Sequence, residues 1–129
     1  MPVFCNVDTD GKALTGASRY TLTFDTGKLP PVSEFWELPL YDANGYFVDN
    51  ELDRYSLNSF MLERGELHVD DGKVTVYIQH KRPSDPLQAQ NWLPAPEGSF
   101  RFVFRLFGPM DGVLDWTYDM PGIIRTGEA

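Results

Sequence analysis

Two stretches of the chain hold side chains capable of chemistry. "DRYSLNS" (53–59) offers Arg54, Tyr55, Ser56 and Asn58, and "QHKRPSDPLQAQNWLPAPEG" (79–98) offers Gln79, His80, Arg82, Asn91 and Trp92. Imidazole titrates near neutrality, so His80 is the candidate general base for hydrolysis of a carboxylic ester, with Arg54 or Asn91 polarising the carbonyl. Ser56, Ser59, Ser84 and Ser99 are the hydroxyls that His80 could meet in space. Ligand binding competes with catalysis. Trp92 and a neighbouring aromatic would stack on a small molecule or saccharide, with Arg54, Tyr55, Gln79 and Asn91 supplying polar contacts. Each residue also has a purely structural reading. Arg54 would pair with an acidic neighbour, Asn91 would satisfy loop backbone, and Trp92 would plug one end of a sandwich.

Familiar catalytic and metal motifs are missing. Gly-Lys occurs at Gly11-Lys12, Gly27-Lys28 and Gly72-Lys73, but Asn6, Leu22 and Leu67 stand where a phosphate-cradling loop needs its first glycine. No G-x-S-x-G elbow presents a serine. "DTDG" (8–11) closes on Arg19 where a calcium loop needs glutamate, and "DANGYFVDNELD" (42–53) has its glycine too early and Tyr46 at a ligand position. A solvated acidic hairpin is the better reading of 42–53. His68 and His80 fall far apart along a shared hairpin, which argues against a zinc site. Cys5, between apolar neighbours, reads as a packing residue. No metal or cofactor is expected.

The composition narrows the partners. With 19 acidic and 11 basic side chains the net charge is −8, which repels phosphate backbones and anionic lipid surfaces. Nucleic-acid and membrane binding are therefore not expected. A single cysteine forbids an internal disulfide and leaves the compartment open. No apolar run approaches the roughly 20 residues of a membrane span, and "MPVFCNVDTDG" has no signal-peptide pattern.

The elements that must position these residues are strands, because the apolar period is two almost throughout. "SRYTLTF" sets Tyr20, Leu22 and Phe24 against Arg19, Thr21 and Thr23. "FWELPLYD" puts Trp36, Leu38 and Leu40 on one face and Pro39 on the other, which predicts an edge or bulged strand. "DANG" marks a turn, and Asp70-Asp71-Gly72 predicts a hairpin between "ELHV" and "KVTVYIQH". "SFRFVFRLFG" alternates Phe100, Phe102, Phe104 and Leu106 with Arg101, Val103, Arg105 and Phe107. "PMDGVLDW" predicts one helical turn and "GIIR" a short last strand. Pro94 and Pro96 keep "QAQNWLPAPEG" out of a sheet, making it a stiff lead-in with Trp92 pinned inward and Asn91 tying backbone. Seven or eight short strands in 129 residues predict a single antiparallel β-sandwich or barrel domain, residues 1–129.

Several of these stretches together resemble one family. "GKLPPVSEFWELPLYDANGYFVDN", "RYSLNS", "VTVYIQH", "NWLPAP" before "FRFVFRLFGP", and "VLD…W…PGIIR" are similar to domain of unknown function 1214, over about residues 8–125. The resemblance implies an all-β, jelly-roll-like sandwich. It also implies a domain that often follows a second β domain (number 1254) and frequently assembles into oligomers. On this basis a non-catalytic packing module, partnered by copies of itself or by a second β domain, leads the ester-hydrolase and ligand-binding readings.

Overall fold

The computed structural model describes residues 2–111 and 120–128. Its strands are β1 (Pro2–Cys5), β2 (Ser18–Asp25), β3 (Val32–Asp42), β4 (Ser56–Asn58), β5 (Lys73–Gln79), β6 (Trp92–Pro94), β7 (Phe100–Pro109) and β8 (Ile124–Glu128). Two short helices, α1 (Ser59–Glu63) and α2 (Pro86–Gln90), interrupt them. The first sheet runs β1-β7-β3-β4 and the second β6-β5-β2-β8.

The alternation seen in the sequence builds the core directly. Tyr20, Leu22 and Phe24 from β2 and Val74, Val76 and Ile78 from β5 form the inner face of the second sheet. Trp36, Leu38 and Leu40 from β3 oppose them with Phe100, Phe102, Phe104 and Leu106 from β7. The sheets meet through rings. Phe24 stacks on Trp36 at 5.4 Å and meets Phe104 edge-on at 6.1 Å, while Tyr20 meets Phe100 at 5.8 Å. Each such fully buried ring or leucine contributes about 1.5–3 kcal/mol relative to exposure.

Three expectations change in detail. β3 is not an edge, because β7 and β4 flank it, and its irregularity lies between Val32 and Phe35, away from Pro39. Trp36 N–H donates to Ser59 Oγ and Leu40 N–H to the Tyr55 carbonyl, both on the β4 side. Backbone alternation then turns the Pro39 nitrogen toward β7, so the ladder forfeits one bond and resumes in the same register. The Asp71-Gly72 turn forms with positive φ at both residues (51° and 71°) and Asp70 bridging Lys73, but "ELHV" is not a strand. Finally, Pro94 and Pro96 do not keep their segment out of a sheet. β6 pairs with β5, in parallel where the other pairs are antiparallel, and because the Asn91 carbonyl and the Ala95 N–H face β5, the Pro94 nitrogen points away from the ladder.

The two helices are set by local caps. Asn58 Oδ1 accepts from Met61 N–H, and Asp85 Oδ1 accepts from Leu87 N–H ahead of Pro86. Most of the helical turn expected at 109–116 lies outside the described residues. No helix among those described is long and apolar enough to cross a membrane.

Candidate functional site

The polar residues nominated by the sequence converge on one segment, the passage from α2 through β6 to residue 97. Asn91 is 2% exposed, and its carboxamide takes the place of a strand partner. Its Oδ1 accepts from His68 N–H and its Nδ2 donates to the His68 carbonyl, both at 2.8 Å. Its own carbonyl accepts from Tyr77 N–H at 3.0 Å. This side-chain clamp explains why 66–69 does not join β5: His68's backbone groups are already satisfied.

Trp92 is equally committed. The ring is buried, and Nε1 donates to the Gln79 carbonyl at 2.8 Å, which Ala95 N–H also reaches at 3.0 Å. Gln79 thus contributes its main chain to the segment, while its Nε2 donates to the Lys81 carbonyl. Arg54 reaches the segment from the loop before β4. Nη1 donates to the carbonyls of Gln90 (3.0 Å) and Trp92 (2.9 Å), not to the acidic neighbour the sequence proposed. Asn50 fixes its backbone, accepting from Arg54 N–H and donating to the Arg54 carbonyl. Burial pulls the Arg54 pKa down and nearby Glu66 pushes it back up.

His80 closes the segment at its far end. Nδ1 lies 2.9 Å from the Ala95 carbonyl and Nε2 lies 3.3 Å from Glu97 Oε1. Among the described residues none of its hydrogen bonds goes to a serine; Ser59 instead receives the Trp36 N–H. A depression of about 320 Å³ beside it is walled by Trp92, Pro94, Asn50, Glu51 and Arg82. Tyr55 stands apart. Its hydroxyl donates to Asp53 Oδ1 at 3.3 Å, and its ring tilts against Phe47 at 5.2 Å. Desolvation, then Asp53 and Asp49, hold its phenol above the ordinary range.

The acidic loops bond to themselves. Asp42 Oδ1 accepts from the N–H groups of Asn44 and Tyr46, and Asp8 Oδ1 from those of Asp10 and Lys12. Among the described residues no three His, Cys, Asp or Glu side chains are grouped to hold a metal ion.

A surface that the search for polar chemistry missed lies on the outside of the first sheet. Phe35 stacks on Phe107 at 4.2 Å and meets Phe60 of α1 at 5.1 Å. Further along β3, Tyr41 stacks on Phe47 at 5.1 Å and accepts a bond from Arg105 Nη2 at 2.8 Å. Phe4 on β1 is 67% exposed, Phe47 50% and Phe60 42%. The signal was present as Phe35, Tyr41 and Phe107 at the solvent-side positions of alternating strands.

The model of a protein family of unknown function, DUF1214, matches residues 2–111. The chain belongs to the DUF1214 family. The solved VPA0106 protein from Vibrio parahaemolyticus is similar to this DUF1214 chain at 29% identity and a TM-score of 0.79. The match covers 97% of this chain and 30% of the Vibrio chain. An uncharacterised protein from Burkholderia cenocepacia aligns at 12% identity and a TM-score of 0.46, covering 98% of this chain and 34% of its own. This chain therefore spans about a third of the length of either solved relative. A search of curated proteins finds no match.

Proposed function

We propose that this DUF1214 domain is a non-catalytic packing module that lays the aromatic outer face of its first sheet against a second folded β domain. The observation that carries the reading is the Phe35–Phe60–Phe107 cluster, half-buried at Phe35 and Phe107 and exposed at Phe60, continued by half-buried Tyr41 and exposed Phe47 and Phe4. Contiguous exposed aromatics of this kind mark interaction surfaces. The Vibrio relative supports the choice of partner, because there the matching region is one part of a longer chain. In isolation the uncovered face should drive reversible self-association. Light scattering across a concentration series should show mass above one chain, reduced to one chain by Phe60→Lys with Phe107→Lys. A single-chain mass for the unaltered protein at every concentration counts against the reading.

A second reading keeps His80 as a general base for ester hydrolysis. It is supported by the Ala95 carbonyl, which as acceptor of Nδ1–H leaves Nε2 to act as the base beside the depression once it is turned from Glu97 Oε1, 3.3 Å away. Arg54 and Asn91 would have to leave their backbone partners to polarise a substrate carbonyl. Hydrolysis of activated esters that is unchanged in His80→Ala removes this role. Saccharide stacking on Trp92 ranks third, since the ring is only 3% exposed.

A further inference from the structure

On the outer side of the second sheet, away from the aromatic face, a depression of about 250 Å³ is walled by Arg19, Gln79, Lys81, Arg82, Ser84 and Gln88. We propose that it binds a small multivalent oxyanion: a phosphate monoester or a di- or tricarboxylate.

Charge is the first observation. The protein carries 19 acidic side chains against 11 basic ones and a net charge of −8, so a hollow lined by cations and by no carboxylate runs against the composition. Here three of the 11 Lys and Arg residues gather around one hollow that no Asp or Glu lines. The Lys and Arg ion pairs among the described residues are Arg64–Glu66 and Arg125–Glu128, so Arg19, Lys81 and Arg82 take part in none. Asp49 and Glu51 share only the neighbouring depression with Lys81 and Arg82, so inside this hollow like charges meet, at a free-energy cost that an anionic ligand recovers.

The second observation is how the hollow is built. Tyr20 pairs with Ile78 across β2 and β5, which sets Arg19 and Gln79 side by side on the outer face. On the other flank Arg19 pairs with Gly127 of β8. A Cβ at residue 127 would stand 3.0 Å from the Arg19 guanidinium, so glycine leaves the head group its space. Gln79 Nε2 donates to the Lys81 carbonyl, curling the chain so that Lys81 and Arg82 follow at the rim. Buried Pro83 then fixes the bend before Ser84.

The lining is donor-rich in a way that fits an oxyanion. Two guanidinium forks offer paired N–H groups, Lys81 adds a mobile ammonium, and Ser84 and Gln88 add neutral donors. A combined charge of +3 matches a dianion or trianion better than a monoanion. The cations are exposed, so binding is weakened by salt.

The test is a titration with inorganic phosphate and, separately, with citrate, each at ionic strength held constant with NaCl. Two-dimensional NMR would follow the Arg19 Nε–H and the side-chain amides of Gln79 and Gln88. Saturable shifts at these groups are expected with at least one probe. Saturation by phosphate alone assigns a phosphate ester, by citrate alone a polycarboxylate, and by both an unselective oxyanion site. Arg19→Gln and Arg82→Gln should each weaken binding about tenfold, with backbone resonances elsewhere showing an intact fold. Lys12→Gln, at a position that does not line the hollow, should bind as the unaltered protein does. The absence of a saturable shift with either probe overturns the proposal, as does a shift that persists undiminished in the Arg19→Gln, Arg82→Gln double variant.

Discussion

The two sheets have the same inside and opposite outsides. Inward, both present alternating aromatic and aliphatic side chains to one core. Outward, the second sheet shows Arg19, Thr21, Thr23, Thr75 and Gln79 with Tyr77 and Ile124 among them, and the Thr23 and Thr75 hydroxyls bond to each other at 3.0 Å. The first sheet shows Phe35, Tyr41, Phe107 and Arg105, and beside them Val103 and Pro39 buried although they point away from the core. A core requires only one apolar face per sheet. The second sheet's outer face is mostly polar, with single apolar side chains at Tyr77 and Ile124, whereas the first sheet's is finished by rings stacked on rings. That surplus of aromatic surface is the part of the molecule most in need of a function.

Breaking the polar side of this comparison should have the largest effect at Asn91. Asn91→Ala leaves His68's backbone N–H and carbonyl without their partners next to β5 and β6, and should cost about 2–4 kcal/mol in urea denaturation. Arg54→Met keeps much of the aliphatic stem but drops the bonds to Gln90 and Trp92. The expected loss is about 1–3 kcal/mol by the same measurement. On the aromatic side, Phe47→Ala removes a ring held between Tyr41 and Tyr55 and should cost about 1 kcal/mol. Thr23→Val, on the outer face of the second sheet, should change stability by less than about 0.5 kcal/mol. A Phe47 effect as large as that of Asn91 would mean that the first sheet's rings serve the fold itself, not a partner.

Much of the fold was legible because alternation is a local signal. β2, β5 and β7 follow it residue by residue, and the turns at 42–45 and 70–73 are where Asp, Asn and Gly place them. The tying role of Asn91 and the burial of Trp92 followed from local chemistry, but the prolines did not keep the segment out of the sheet: Trp92–Pro94 pairs with β5, with Leu93 in the core and Trp92 buried on the Tyr77 side. What was not legible depends on contacts between distant residues. Asn91 clasps His68 from 23 positions away and Arg54 reaches Trp92 from 38, and neither spacing leaves a pattern in the sequence. Those two bonds decide that 66–69 stays out of the sheet and that Arg54 serves main-chain carbonyls. The failed edge assignment of β3 has a related cause. Pro39 removes one donor, but only the partner on that side determines what the loss costs.

The central claim, that the first sheet's outer face exists to be covered by another domain, is tested most directly in the solved Vibrio relative. The quantity to measure is the solvent exposure of the residues that superpose on Phe35, Phe60 and Phe107, with the rest of that chain present and then removed. The packing-module account predicts that the rest of the chain buries them. Positions left open to solvent in the full chain and in its assembly would contradict it.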